Sequence, residues 1–419
     1  MTVASFFLNN AHIIIFYLIV AILIYINRKK INFEGKIIAM YRTKVGIKLM
    51  QRWGTKAEKF VKGLALGGIV IGFLGMGFIV WMILHGLYDL VMNPSAPATF
   101  APVIPGVRIP GVDIFIPFFY GMIALFVTIV VHEFSHGVVA EAFKLKIKNT
   151  GLVMFGPLPG AFVEPDEKQL MKKKARVQLS VYAAGPFSNI LLTILLIILF
   201  GFIPLFVVEM GGSPSPALET VTKYTSIVNL YQVRTELYDP VGVEILTVTD
   251  GSAAADAGLA NHTIITSING HDVRMNKTLF GEEYEKLFNL TPGETVTLSN
   301  DTASFIIIAK PHPENASRGQ MGVIMTPVPA ALEKYGKFGI AFFDILFNQI
   351  LWIIILSSGV GFANLLPIGP VDGGRMLLVA LEQRFDKEKA KDIWGRISLI
   401  TLVCVLLLLF VPIIRNLIG

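Results

Sequence analysis

Val131-His132-Glu133-Phe134-Ser135-His136-Gly137 sets three ionisable side chains at the end of an apolar run. On a helix, residues four apart share a face, so both imidazoles can reach one cation, while Glu133 projects beside that face within reach of a water held there. This is the HExxH arrangement of zinc hydrolases. The preceding residues 114–131 carry no charged side chain and include Phe115, Phe118, Phe119, Leu125, Phe126, Ile129 and Val130. As a helix, such a run rises about 27 Å, close to the roughly 30 Å hydrocarbon core of a bilayer. The histidines therefore belong near or inside the far membrane boundary. There an ionisable side chain costs roughly 2.5–3.5 kcal/mol unless it faces a polar cavity or a partner. Taken alone, the five residues also fit a helix end with satisfied interfacial histidines.

The whole chain supports a membrane setting. Of 419 residues, 53% are hydrophobic and only 16% charged, and the mean hydropathy is +0.64, too apolar for an ordinary soluble protein. A polytopic α-helical membrane protein with about six transmembrane helices is expected. The net charge of +6 would suggest nucleic acid in a soluble chain. Here lysines and arginines crowd into short loops between apolar runs, so they read as topology signals and no nucleic-acid partner is expected. The single cysteine, Cys404, lies in an apolar run, which excludes an intrachain disulfide and is explained by packing.

A first apolar run, residues 13–26, has no preceding basic residue and no small-residue cleavage site after it, so it reads as retained. Residues 28–62 then hold eleven Lys or Arg against Glu34 and Glu58, which places this loop in the cytoplasm and the N-terminus outside. A second span, 64–92, contains Gly68 and Gly72 in GxxxG spacing, which favours close helix packing. His85 and Asp89 share a face near its outer end, where interfacial anchoring accounts for them better than a metal. The proline-rich loop 93–112 fits the outer side, so the third span runs inward and delivers His132 and His136 toward the cytoplasm. Lys144, Lys146, Lys148, Lys168, Lys172, Lys173, Lys174 and Arg176 mark the next cytoplasmic segment. Between them, 151–163 is apolar with strand-like pieces and is too short to span. It reads either as a re-entrant loop or hairpin returning to the active site, or as a surface loop.

The fourth span, 177–208, holds Ala184-Gly185-Pro186-Phe187-Ser188-Asn189 near its cytoplasmic end, at about the depth of the histidines. Alone, the motif reads equally as a proline kink whose asparagine caps a freed carbonyl. Residues 211–335 turn polar. Within them, 237–327 resemble a PDZ domain, a mixed α/β module, through Val241-Gly242-Val243-Glu244-Ile245, the short helix around Ala253 to Ala257, Ile264 to Gly270, and a final strand near Met321-Gly322-Val323. Asn261-His262 stand where protease-type PDZ domains usually have Gly-Asp. Asn-x-Ser/Thr triplets at Asn261, Asn276, Asn289, Asn300 and Asn315 all fall here, in accord with an external face. The fifth span starts near Phe338 and is expected to loosen at residues 357–361. It ends in Asn364-Leu365-Leu366-Pro367-Ile368-Gly369-Pro370-Val371-Asp372-Gly373-Gly374, an irregular turn. Basic residues from Arg384 to Arg396 return the chain to the cytoplasm, and a sixth span, 397–414, leads outward. Three polar motifs on three spans thus reach one depth.

Together His132-Glu133-Phe134-Ser135-His136, Gly185-Pro186-Phe187-Ser188-Asn189 and Asn364 through Gly373 resemble the site-2 protease family of intramembrane zinc metalloproteases, in its PDZ-containing branch. Gly369 stands where many members have proline. The resemblance implies one zinc ion per chain held by His132, His136 and Asp372, Glu133 as catalytic acid/base, and Asn189 and Asn364 holding substrate or the oxyanion. It implies cleavage of transmembrane protein substrates within or beside their membrane segments, in a prokaryotic cell membrane. An extended peptide or substrate tail would bind the extracytoplasmic PDZ-like domain, with the active site near the cytoplasmic side. The expected organisation is 1–110 (two helices and a basic loop), 111–210 (first part of the catalytic core), 237–327 (PDZ-like) and 336–419 (second part of the core and last helix). Among later acids Glu164 competes with Asp372 as third ligand. A catalytically silent PDZ-bearing scaffold and an ion transporter are the rival classes, and neither needs the HExxH order.

Overall fold

The computed structural model describes residues 11–34, 38–93, 100, 104–107, 115–156, 158–203, 205, 225–230, 233, 240–274, 283–313, 315–329 and 331–418. Asn276, Glu34's side chain and the segment 206–224 fall outside that description. Internal contacts divide the chain into two compact units, Met1–Ile197 with Asn348–Gly419, and Ile198–Phe347. Beside one-turn pieces, the helices are α1 (Ala11–Ile26), α2 (Ile47–Lys56), α3 (Glu58–Met92), α4 (Phe118–Ala142), α5 (Ala175–Leu199), α6 (Ala331–Ala363), α7 (Asp372–Glu382) and α8 (Lys387–Ile418).

Five of these contain stretches long and apolar enough to cross a membrane: α3, α4, α5, the Gly336–Ala363 part of α6, and α8. The protein is an integral membrane protein with helical spans and a strand-rich unit. The described part of α1 is 16 residues long, against the roughly 20 of a full span. Several expected bounds shift. Helix α4 begins only after Pro117 and continues six residues past His136, so the motif lies inside the helix and not at its end. Helix α6 runs regularly through residues 357–361 to Ala363, because Ser358 and Ser357 bond carbonyls at 2.9 and 3.0 Å and no proline interrupts it. Pro186 sits within a continuous α5.

The glycines of α3 are packing devices. A Cβ on Gly68 would come 3.1 Å from the Phe187 ring of α5, and one on Gly72 would press on Met376 of α7 and lie 3.6 Å from Ala183. One face of α3 thereby backs both α5, which carries Gly185 to Asn189, and α7, which opens on Asp372.

The segment 151–163 forms a hairpin, β3 (Ile147–Phe155) and β4 (Leu158–Pro165), within a sheet larger than expected. Strands β1 (Ile31–Glu34) and β2 (Ile38–Thr43), in the basic segment read above as a plain loop, extend it in the order β1-β2-β3-β4, all antiparallel. Tyr41 faces Leu152, which faces Ala161. Strand β4 packs along α4.

In the second unit, β5 (Pro240–Val248) pairs with the short strand β6 (Ile264–Ile265) and, on its other side, with a strand at Val323–Pro329 that ends its sheet. A second, four-stranded sheet contains Ser267–Ile268, His271–Asp272, Thr295–Ser299 and Ser304–Ile308. Alternate residues Val243, Ile245, Ile265, Ile268, Leu298 and Ile307 fill the core. Ser252 caps the one-turn helix Ala253–Asp256 by accepting the Ala255 amide. His262 adopts φ 60°, the left-handed region that favours glycine, while Asn261 Oδ1 accepts the Val248 amide at 2.7 Å.

Candidate metal centre

On α4, His132 and His136 are buried, 6% and 9% exposed, and point to one side, as their spacing of four requires. Asp372 is the first residue of α7, following the extended Val371. Its Oδ2 lies 3.0 Å from His132 Nε2 and 3.3 Å from His136 Nε2. The turn that places it is held by the Gly373 amide donating to the Asn364 carbonyl at 2.7 Å and by Trp394 Nε1 donating to the Gly374 carbonyl at 2.8 Å. Cβ atoms on Gly373 or Gly374 would collide with the Leu365 or Ile368 carbonyls, so the turn closes only on glycine. A Cβ on Gly369 would sit 3.2 Å from the Trp394 ring, so the indole fills the space beside this departure from the family pattern.

These donors suit zinc. Ligand atoms about 2.0–2.1 Å from a tetrahedral ion stand roughly 3.3 Å apart, which is the spacing between Asp372 and the histidines. A Cβ on Gly185 of α5 would collide with Nε2 of both imidazoles, so the glycine keeps open the space that an ion would take. His136 Nδ1–H donates to the Val181 carbonyl at 2.7 Å, which leaves the Nε2 lone pair free for a metal. At His132 the Asn189 amide nitrogen stands 3.1 Å from Nδ1, while Asn189 Oδ1 is buried and unsatisfied. Ligation through His132 Nε2 requires the proton on Nδ1. A half-turn of the amide then offers Oδ1 to that proton and satisfies both groups.

Glu133 also approaches the two histidines, the three donor atoms lying within 4.8 Å of one another. Its Oε2, however, accepts the Val163 amide of β4 at 2.8 Å, whereas Asp372 touches both imidazoles. Glu164, the rival third ligand, accepts from Asn149 Nδ2 at 2.9 Å and lies 3.9 Å from Arg42 Nε. It lines the same cavity of about 750 Å³ as His132, Glu133, His136, Asn364 and Asp372. Asn364 stands at that wall with Nδ2 on the Val360 carbonyl at 3.0 Å. Asn189 is fully buried and does not line the cavity, so its contact is with His132. Sequence reasoning missed Gly185 as the floor of the site and Val163 as the partner of Glu133. The Gly-Pro spacing was the only available sign of the first, and nothing local marks the second.

The family model of peptidase family M50 matches residues 120–405. An uncharacterized protein of Methanocaldococcus jannaschii is 25% identical over 367 residues, covering 86% of this chain and 83% of that protein. Since the M50 match spans the HExxH helix, the Gly185 to Asn189 motif and Asp372 together, this chain belongs to peptidase family M50, the site-2 protease family of membrane metalloproteases.

Proposed function

We propose that the protein is an intramembrane zinc metalloendopeptidase that cuts peptide bonds within or next to transmembrane segments of other membrane proteins. One observation carries the reading: His132 Nε2 and His136 Nε2 meet Asp372 Oδ2 at 3.0 and 3.3 Å on the wall of a cavity that Glu133 shares. His132, His136 and Asp372 hold the ion, which when bound supplies a Lewis acid that acidifies water and polarises the scissile carbonyl. Glu133 takes the proton of the attacking water and returns it to the departing amine, so it ends each turnover ionised. The Val163 amide aims that carboxylate. Asn189 orients His132 from behind. Asn364, with one amide hydrogen on Val360, has a second to offer the developing oxyanion.

A transmembrane helix hides each interior carbonyl in a hydrogen bond, so cleavage requires local unwinding. Unwound backbone in lipid costs several kcal/mol per unsatisfied group, and the enzyme must supply partners. Strand β4 ends its sheet and, apart from the Val163 amide that Glu133 holds, offers its outer edge to an extended segment. Residues 237–327 act as a PDZ-like domain on the extracytoplasmic face of a prokaryotic membrane and receive an extended peptide or substrate tail. Their sequence resemblance and the edge strand Val323–Pro329 support this role. The N-terminus shares that side, and the basic loops place the active site near the cytoplasm.

The test is cleavage in reconstituted bilayers of matched substrates, one with Gly or Asn in its span and one with a uniform Leu span. Wild type should cut the first and spare the second, and Glu133→Gln should cut neither while keeping its zinc. A metal-free protein, or equal cleavage of both spans, would refute the reading.

A further inference from the structure

We propose that α2 lies in the plane of the membrane surface and seats the HExxH helix on anionic headgroups of the cytoplasmic leaflet. Three arcs of this ten-residue helix carry different chemistry. Met50 and Gly54 are buried against α4. A Cβ on Gly54 would lie 2.8 Å from both Glu141 Cβ and the Val138 carbonyl, and Met50 Sδ fills the space a Cβ on Gly137 would need. The Trp53 ring meets Phe134 edge-on at 5.9 Å. Residues Phe134, Gly137, Val138 and Glu141 form the side of α4 away from the metal-facing histidines, so α2 braces the back of the motif.

Next to that packed arc, Val45 just before the helix, Leu49 and Trp53, spaced four apart, are 77%, 46% and 57% exposed. The stripe continues past the Ala57 bend into Phe60 and Leu64 at the start of the α3 span, 68% and 39% exposed. Flanking it on the far side, Lys48, Arg52 and Lys56 recur at the same spacing, are all exposed, and make no ion pair among the described residues. An apolar arc rimmed by unpaired cations and carrying a tryptophan is the signature of an interfacial helix. Water would leave the apolar arc exposed, and a wholly hydrocarbon setting would strand the three charges. The bilayer surface satisfies both. Anionic headgroups complement the basic rim, whose side chains reach up while their methylene stems lie along the apolar arc. The assignment to the cytoplasmic leaflet rests on the orientation proposed above.

The full chain has one cysteine, so Cys404→Ala gives a background for spin labels at Leu49→Cys and, on the polar side, Thr55→Cys. The protein is reconstituted in vesicles of phosphatidylcholine alone, or of phosphatidylcholine and phosphatidylglycerol in equal parts. The Leu49 label should collide with oxygen and be shielded from a water-soluble nickel chelate, and the Thr55 label should show the reverse. Phosphatidylglycerol should raise the ratio of seated to unseated label by roughly fivefold per basic side chain. Changing Lys48, Arg52 and Lys56 to Gln should erase that rise. Chelate access at Leu49 equal to Thr55, shielding of Leu49 from both reagents by a covering protein, or seating indifferent to phosphatidylglycerol would each overturn the proposal. In oriented vesicles, chelate reaching Thr55 only from the side of the β unit would overturn the leaflet and the proposed orientation. The seat itself, and the peptidase reading, would stand.

Discussion

Glu133 accepts the backbone amide of Val163 at 2.8 Å, which ties the motif's carboxylate to a strand 30 residues later. Val163 faces Thr150 across the ladder, yet its N–H points away from it, toward α4. Proline at this position removes that one donor without removing a ladder bond. Val163→Pro should lower kcat about 10- to 100-fold, the equivalent of one hydrogen bond to a charged group, with zinc content unchanged. Loss of zinc in the folded variant would show that the strand builds the site and does not merely aim Glu133.

Gly185 has no spare volume toward the histidines. Gly185→Ala should fold, since alanine favours helix by about 1 kcal/mol over glycine, but should not retain zinc. Metal analysis of the purified variant checks this, and stoichiometric zinc would place the ion elsewhere.

Asn189 is buried against His132 at 3.1 Å. Asn189→Leu should weaken zinc affinity about 10- to 100-fold, as supporting partners of metal ligands do. Asn189→Asp, which can still accept from Nδ1–H, should recover part of it. A competition titration with a chelator reads both. Unchanged affinity with impaired turnover would return Asn189 to the substrate.

In the second unit the buried Glu283 accepts from Lys286 Nζ at 2.6 Å and from Asn269 Nδ2 at 3.0 Å, and the lysine, then the asparagine, hold its carboxyl below the ordinary value of 4.5. A lowered folded value means that the stabilisation is complete above pH 4.5 and is lost as the pH falls through the folded value. Asn269 Oδ1 accepts the Thr297 amide at 3.0 Å, so hydrogen-exchange protection at Thr297 should decline over that acid range. Glu283→Ala should reduce it at neutral pH and flatten the decline.

Deleting residues 237–327 should change which substrates are cut while leaving zinc bound, as expected of a selecting domain. Zinc loss from folded protein would make the domain structural.

The sequence exposed His132, His136 and Asp372, which the fold brings together with Asp372 at 3.0 and 3.3 Å from the two imidazoles, because two histidines and an aspartate are chemically unusual against an apolar background. It did not expose β1 and β2. Ile38 to Thr43 were masked by the surrounding lysines, and their partners on β3 lie more than a hundred positions away. Helix α7 was hidden because Gly373 and Gly374 follow directly on Asp372 at its start, and paired glycines ordinarily break or end a helix. Here the glycines admit the returning carbonyls of residues 365 and 368. The expected loosening at residues 357–361 failed for the opposite reason. Glycine and serine there permit close packing, and Ser357 Oγ donates to the Asn189 carbonyl on a neighbouring helix.

The wide spacing between the two histidines and Asp372 has a consequence for biogenesis. A nascent chain that has delivered α4 to the bilayer owns the imidazole pair and Glu133, but its carboxylate partner is still 236 codons from His136. In between, α5, the strand-rich second unit and α6 must all be made. Throughout that interval the chain lacks Asp372, so on the function proposed above hydrolytic competence comes only after assembly.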